Sequence, residues 1–181
     1  NRIHIAVSGY KVAFEKRRDT VDRAVYLHRY LKEWKPAMFR EMRRMKQLLP
    51  MEETEAVMHR CSNGVLACMG DGGYPYAVPL NYVYYDGKIY FHSAKAGHKL
   101  DAVNKNPKVC FCVIDEDTIV SGEYTSYFRS VIAFGKARIA EGNEYREAFE
   151  ALVEKYSGDQ PEEAKQEMID TCDRAYIIAV D

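Results

Sequence analysis

Hydrophobic and polar positions follow two different rhythms along this chain, and the change from one to the other falls near Ser62. Before it the spacing is mostly helical. Val21, Val25, His28 with Leu27, Leu31 and Trp34 recur at three- and four-residue steps, with Thr20 placed to cap and Pro36 to stop. That pattern predicts an amphipathic helix over residues 19–34. Ahead of it, Ile3, Ile5 and Val7 alternate with polar or small residues, the period of a short strand over residues 2–7. Methionine and arginine alternate through residues 38–45. Pro50 then opens a helix over residues 52–60, whose early glutamates suit the positive end of its dipole.

Beyond Ser62 the period drops to two, and turn residues punctuate it. Strands are expected over residues 64–69, 76–84 and 88–92, separated by Asp71-Gly72-Gly73 and by Asp86-Gly87. An Asp-Gly pair between strands signals a type I′ hairpin, because both central residues of that turn need positive φ. Ala96-Gly97 leads into a short helix to Asn104, stopped before Pro107. Strands over residues 108–115 and 127–139 follow, joined by a polar loop around Ser121-Gly122. Asp115, Glu116 and Asp117 fall in that loop, where solvation is the expected fate of carboxylates. Asn143 is placed to cap a helix reaching Tyr156, with Ala148, Leu152 and Tyr156 on one stripe. Pro161 begins another helix through Thr171, and residues 174–180 return as a last strand. Short strands with peripheral helices describe a mainly β fold, a small barrel or an α+β sandwich. Residues 1–36 read as an N-terminal helical extension and residues 37–181 as the globular domain.

Composition sharpens this picture in three places. With 181 residues, 47% of them apolar, and a net charge of −1, the chain can bury one good core. Its longest apolar runs are far shorter than the roughly 20 residues that span a bilayer, and nothing near Asn1 reads as a secretory signal. The five cysteines are odd in number and contain no CxxC pair, which fits a reduced, cytoplasmic setting. Cys110 and Cys112 alternate around Phe111 in a strand-like run, so packing rather than ligation is expected of them and no metal is assigned. Charge is uneven: residues 1–60 hold 14 Lys+Arg against 8 Asp+Glu, and the remainder 12 against 19. The basic residues are spaced like the wet side of helices, so a solvated face is expected rather than a nucleic-acid surface.

Candidate chemistry concentrates in residues 72–101. The strand ending Tyr90-Phe91-His92-Ser93 runs through a tight turn, residues 94–97, into a helix that starts at His98-Lys99. Helix starts offer unsatisfied N–H groups and positive potential, so a phosphate would be at home beside these imidazole, hydroxyl and ammonium groups. An ordinary strand–turn–helix corner with a surface lysine is the competing reading. The preceding strand carries Pro79 where a strand interior rejects proline, which points to an edge or a ligand-facing position. Its free backbone groups, with the Asn81 amide, could meet the polar rim of a planar heterocycle. A bulged edge strand with a surface asparagine would look the same. No nucleophile elbow is present, and no catalytic residue can be named.

Three blocks taken in order, GYPYAVPLNYVYYDGKIYFHSAKAGHK, NPKVCFCV and YFRSVIAFGKARI, resemble the nitroimidazole-reductase-like branch of the pyridoxamine 5'-phosphate oxidase-like split barrels. The resemblance covers about residues 38–181. It implies a six-stranded split β-barrel with peripheral helices, a homodimer, and FMN bound at the dimer interface. By position, Val78, Pro79, Leu80, Asn81 and Tyr82 would lie along the ring and ribityl chain. His92 and Ser93 would sit near the ribityl and phosphate end, with His98 and Lys99 closing over the phosphate. Ser130, with Arg129 beside it, would reach the flavin of the partner subunit. The resemblance also implies an oxidoreductase that takes electrons from NAD(P)H or a partner reductase and reduces a small aromatic or nitro compound. Pyridoxamine-phosphate oxidases proper carry a C-terminal tryptophan and an arginine-rich segment. Here the only tryptophan is Trp34, so vitamin B6 oxidation is not expected. A flavin-binding sensor without turnover and a haem-binding split barrel are the alternatives.

Overall fold

The computed structural model describes residues 4–9, 39, 42, 45–171 and 175–181. The helix expected over residues 19–34, and the boundary at residues 36 and 37, lie outside the described residues. The elements in chain order are β1 (His4–Gly9), α1 (Met51–Arg60), β2 (Asn63–Met69), β3 (Pro75–Asn81), β4 (Val83–Tyr85), β5 (Lys88–Ala94) and α2 (His98–Lys105). They continue with β6 (Lys108–Val120), β7 (Thr125–Ile139), α3 (Gly142–Ser157), α4 (Glu162–Thr171) and β8 (Ala175–Val180).

All strand pairings are antiparallel. The strands follow the order β3-β2-β6-β7-β8-β5-β4, and β1 pairs with β7 off that path. The long β7 joins two half-sheets. Its first part pairs with β6 and, along its other edge, with β1, from His4 opposite Phe134 to Gly9 opposite Arg129. Its last residues, Ala137 to Ile139, pair with β8. Because β3 and β4 are consecutive in the chain yet stand at opposite ends of the strand order, the sheet curls without closing, which is the split barrel expected from the sequence.

Alternation sorts the barrel residues cleanly. Leu66 and Cys68 of β2, Val109, Phe111 and Val113 of β6, Val131 and Ala133 of β7, and Ile89 and Phe91 of β5 face one core, with Leu100 and Val103 of α2 as its plug. Phe91, Phe111 and Ile89 are fully buried, each worth about 2 kcal/mol of transfer free energy. Gly64 is obligatory in this packing, since a Cβ there would stand 2.4 Å from the Phe111 ring. A second cluster lies on the other side of β5 and β8, where Tyr90, Ile177 and Ala179 meet Ala148, Phe149, Leu152 and Val153 of α3.

The Asp86-Gly87 hairpin forms as expected, with φ of 47° and 72°, and Pro50 sits at the start of α1. Several details differ from the sequence reading. The single strand expected over residues 76–84 is broken at Tyr82, whose side chain is fully buried. Asn143 does not cap α3; Glu141 is the capping position and Asn143 lies within the first turn. Asp115, Glu116 and Asp117 are not in a loop, because β6 continues through them to Val120 with a bulge between Ile114 and Glu116. The bulge resets the pleat and turns the Asp115 carboxylate towards α1 instead of leaving it in solvent.

Candidate functional site

The N-terminus of α2 sits in the gap that keeps the barrel open. His98 leans to one side, its ring stacked on Tyr76 of β3 with centroids 4.1 Å apart and its Nε2 3.7 Å from Asp71 Oδ2. Lys99 leans to the other, its Nζ 5.5 Å from the Phe91 ring centroid and donating to the His92 carbonyl at 3.4 Å. The start of α2 thus bridges β3, one end of the strand order, and β5, next to its other end. Gly97 precedes it at φ 126°, a conformation open only to glycine, with nothing within 4 Å of where a Cβ would stand. The first amide of this turn that finds a helical carbonyl is Asp101 N–H, bonded to Gly97 O at 3.1 Å. No side-chain cap occupies the ones before it.

Lys99 is the electrostatic centre of this corner. Its ammonium is half-buried, and burial alone pulls its pKa below the ordinary lysine value. Among the described residues no carboxylate comes within ion-pair distance of it. A half-buried cation with no carboxylate partner among the described residues, at the positive end of a helix, is an electrostatic setting that favours an anion.

The side chains of His92 and Ser93 point to opposite faces of their strand. Strand alternation turns the exposed His92 imidazole to one face of β5 and the buried Ser93 hydroxyl, 3% exposed, to the other. It is the carbonyl of His92 that meets Lys99, and Ser93 Oγ donates to the Ala94 carbonyl at 3.1 Å.

The residues of β3 divide in the same way. Val78 and Leu80 pack against the barrel core, while Pro79 and Asn81 are exposed on the opposite face. Pro79 pairs with Val65 of β2 only, so β3 is the edge strand its proline implied. Tyr82 belongs to the interior. Its hydroxyl donates to the Met58 carbonyl at 2.8 Å, and its own N–H and C=O both bond the Tyr156 hydroxyl, at 2.9 and 2.7 Å. Each of its polar atoms has a partner within the fold. From Tyr76, beside His98, to Asn81 the strand runs five residues, about 17 Å at the usual rise.

Arg129 and Ser130 separate as well. The Arg129 guanidinium is engaged by Asp115 at 2.5 Å, Glu116 at 3.2 Å and Glu53 at 3.6 Å. Ser130, 6% exposed, lies opposite Ile114 of β6. It shares the outer face of the sheet with Ile132 and Phe134 of β7, Cys110 and Cys112 of β6, and Val65 and Ala67 of β2. Phe39 packs on this face, its ring centroid 5.1 Å from that of Phe134, and Lys108 and Lys136 stand at its end. Ile114 on it is 63% exposed and Met69 43%.

Sequence reasoning missed Tyr76, Lys155 and Tyr156. Tyr156 was legible only as the apolar stripe of α3, and nothing local announces that its hydroxyl meets a main chain 74 residues away.

An open, curled antiparallel sheet with β3 and β4 at opposite ends of its strand order and a short helix packed against it is of the split-barrel class. Residues 50–179 match the family model described as pyridoxamine 5'-phosphate oxidase, and the chain belongs to that family. Solved structures with the same fold include the conserved hypothetical protein Rv2991 from Mycobacterium tuberculosis, at 22% identity and TM-score 0.63 over 74% of this chain and 80% of that one. A candidate 5-nitroimidazole antibiotic resistance protein from Bacteroides thetaiotaomicron aligns at 22% identity and TM-score 0.58, over 72% and 78%. The flavocytochrome Anf3 from Azotobacter vinelandii aligns at 19% identity and TM-score 0.62, over 81% and 71%. No curated protein matches the chain. Among the described residues no helix is long and apolar enough to cross a membrane.

Proposed function

We propose that this chain is an FMN-binding flavoprotein that works as a homodimer and reduces small aromatic or nitro compounds. The observation that carries the reading is Lys99, a half-buried ammonium that has no carboxylate partner among the described residues, at the uncapped start of α2. The chemistry of this donor set fits a phosphate monoester: one cation, free helix amides, and a glycine at the approach where a side chain would intrude.

In this reading Lys99 and the first amides of α2 hold the phosphate. His98, braced against Tyr76, closes over it. The length of β3 from Tyr76 to Asn81 is comparable to FMN from its phosphate to the far edge of its rings, so Pro79 and Asn81 present their exposed side to the heterocycle. Val78 and Leu80 support that strand from the core. When bound, FMN supplies the electron transfer from NAD(P)H or a partner reductase to the acceptor, and the protein orients the reactants and excludes water.

The second subunit is called for by the outer sheet face. Val65, Cys112 and Ile132 are half-buried and Ile114 is exposed, while Phe39 of the same chain packs against Phe134; the exposed apolar part of this face, around Ile114, supports the seating of a partner there. Another copy of the chain would cover it and bring Ser130 towards the partner's flavin.

The absorption spectrum of the purified protein tests this reading, followed by addition of NADH and a nitroaromatic acceptor. Flavin bands that bleach with NADH and return with the acceptor are expected. A Soret band, or no retained chromophore even after incubation with FMN, overturns it. Flavin bands that no donor reduces leave a binding module and remove the oxidoreductase.

A further inference from the structure

Where β3 ends and β4 begins, the chain crosses from one end of the split sheet to the other, and the crossing residue is Tyr82. The ladder to β2 stops at Asn81 opposite Asn63, and the ladder to β5 starts at Val83 opposite Tyr90. Tyr82 therefore has no strand partner for its backbone, although it is fully buried. The Tyr156 hydroxyl of α3 supplies both halves of the missing pair, accepting the Tyr82 N–H at 2.9 Å and facing the Tyr82 carbonyl at 2.7 Å. Its single proton is shared with the Ser62 carbonyl, which it also meets. Lys155, one residue earlier, donates to the Cys61 carbonyl at 2.7 Å and lies 4.3 Å over the Tyr82 ring. Tyr82 closes the knot by donating to Met58 O in the last turn of α1.

We propose that Tyr156, backed by Lys155, is the positioning residue for the flavin-facing end of β3. The inference rests on the FMN reading above. Asn81 is joined to Tyr82 by the peptide whose N–H Tyr156 holds, so the tyrosine sets the direction in which the exposed Asn81 amide leaves the strand. A buried peptide without that acceptor must turn to find another, and the one-residue pleat carries the turn to Asn81. Tyr156 touches no cofactor in this scheme; it acts through Tyr82 and Asn81.

The test is Tyr156→Phe, which keeps the ring and removes the hydroxyl, compared with Tyr145→Phe. Tyr145 lies on the same helix and donates to the Ala175 carbonyl at 3.3 Å, far from β3 in the strand order. Each variant is purified as the full chain, and its FMN dissociation constant, bound-flavin absorption spectrum and melting temperature are measured. Tyr156→Phe is expected to weaken FMN about tenfold and to shift the longest-wavelength flavin band, while Tyr145→Phe lowers only the melting temperature. Lys155→Met, which leaves the Tyr156 hydroxyl in place, should weaken FMN two- to threefold, roughly, in the same direction, and this holds as the readout if Tyr156→Phe does not fold. Unchanged affinity and spectrum in the folded variants overturn the inference while leaving the flavin reading intact. A wild-type protein that binds no FMN overturns the flavin reading itself.

Discussion

Arg129 Nε stands 2.5 Å from Asp115 Oδ2, across the point where the bulge in β6 shifts its register against β7. Arg60 reaches the same carboxylate from α1, with Nε at 2.7 Å and a second nitrogen at 2.6 Å, and the Cys61 thiol donates at 3.4 Å. The hydrogen bonds from Arg60 are the chief reason this carboxyl is held well below the usual carboxylate range. The Asp115 side chain is only 8% exposed, and removing it would take from two guanidinium groups their shared buried partner, leaving them Glu53 and Glu116. Asp115→Ala is expected to lower stability by about 2 kcal/mol in denaturant unfolding. FMN affinity per folded molecule should not change; a shift beyond twofold would place Arg129 on the cofactor.

Lys99 offers a direct probe of the anion corner. Lys99→Ala should weaken FMN by about 1–3 kcal/mol through loss of a charge-assisted contact, read by fluorescence titration. Burial lowers the pKa of the free ammonium and a phosphate would raise it again. Affinity in the wild type should therefore be full at neutral pH and fall as pH rises through the alkaline range. In Lys99→Ala that alkaline fall should be absent.

Ile132 lies near the middle of the apolar outer face, opposite Cys112. Ile132→Glu would place a charge where a second copy must seat. Sedimentation should report a monomer, with flavin lost in parallel, because Ser130 of the partner could no longer reach the site. A dimer that survives this substitution would move the interface elsewhere.

Glu144 contributes to the acid limb of stability beside Asp115. It accepts from Arg138 at 2.7 and 2.8 Å, from Lys88 at 2.8 Å and from Tyr90 at 3.0 Å. These bonds, that of Arg138 foremost, pull its pKa from 4.5 to about 2. A carboxylate depressed on folding stabilises above its unfolded pKa, and that contribution is lost as pH falls from about 4.5 towards 2. Glu144→Gln should flatten the fall in melting temperature over that window and cost on the order of 2 kcal/mol at neutral pH.

Much of the fold was written locally. The Asp86-Gly87 turn, the proline at the head of α1, the edge position of Pro79 and the helix beginning after Gly97 each follow from the conformational limits of one or two residues. Period-two alternation likewise set which side of β2, β6 and β7 meets the core. The same alternation, applied strictly, would have parted His92 from Ser93. What no local rule contained were the meetings of distant groups. Asp115 is a loop carboxylate until α1 brings Arg60 to it, 55 residues away in the chain. Tyr156 is an apolar stripe residue until the crossing at Tyr82 leaves a buried peptide needing a partner. Periodicity and turn chemistry act over a few residues and so determine elements and faces. The partners of buried charges and unpaired backbone are chosen by which elements pack together, and only the tertiary structure decided those.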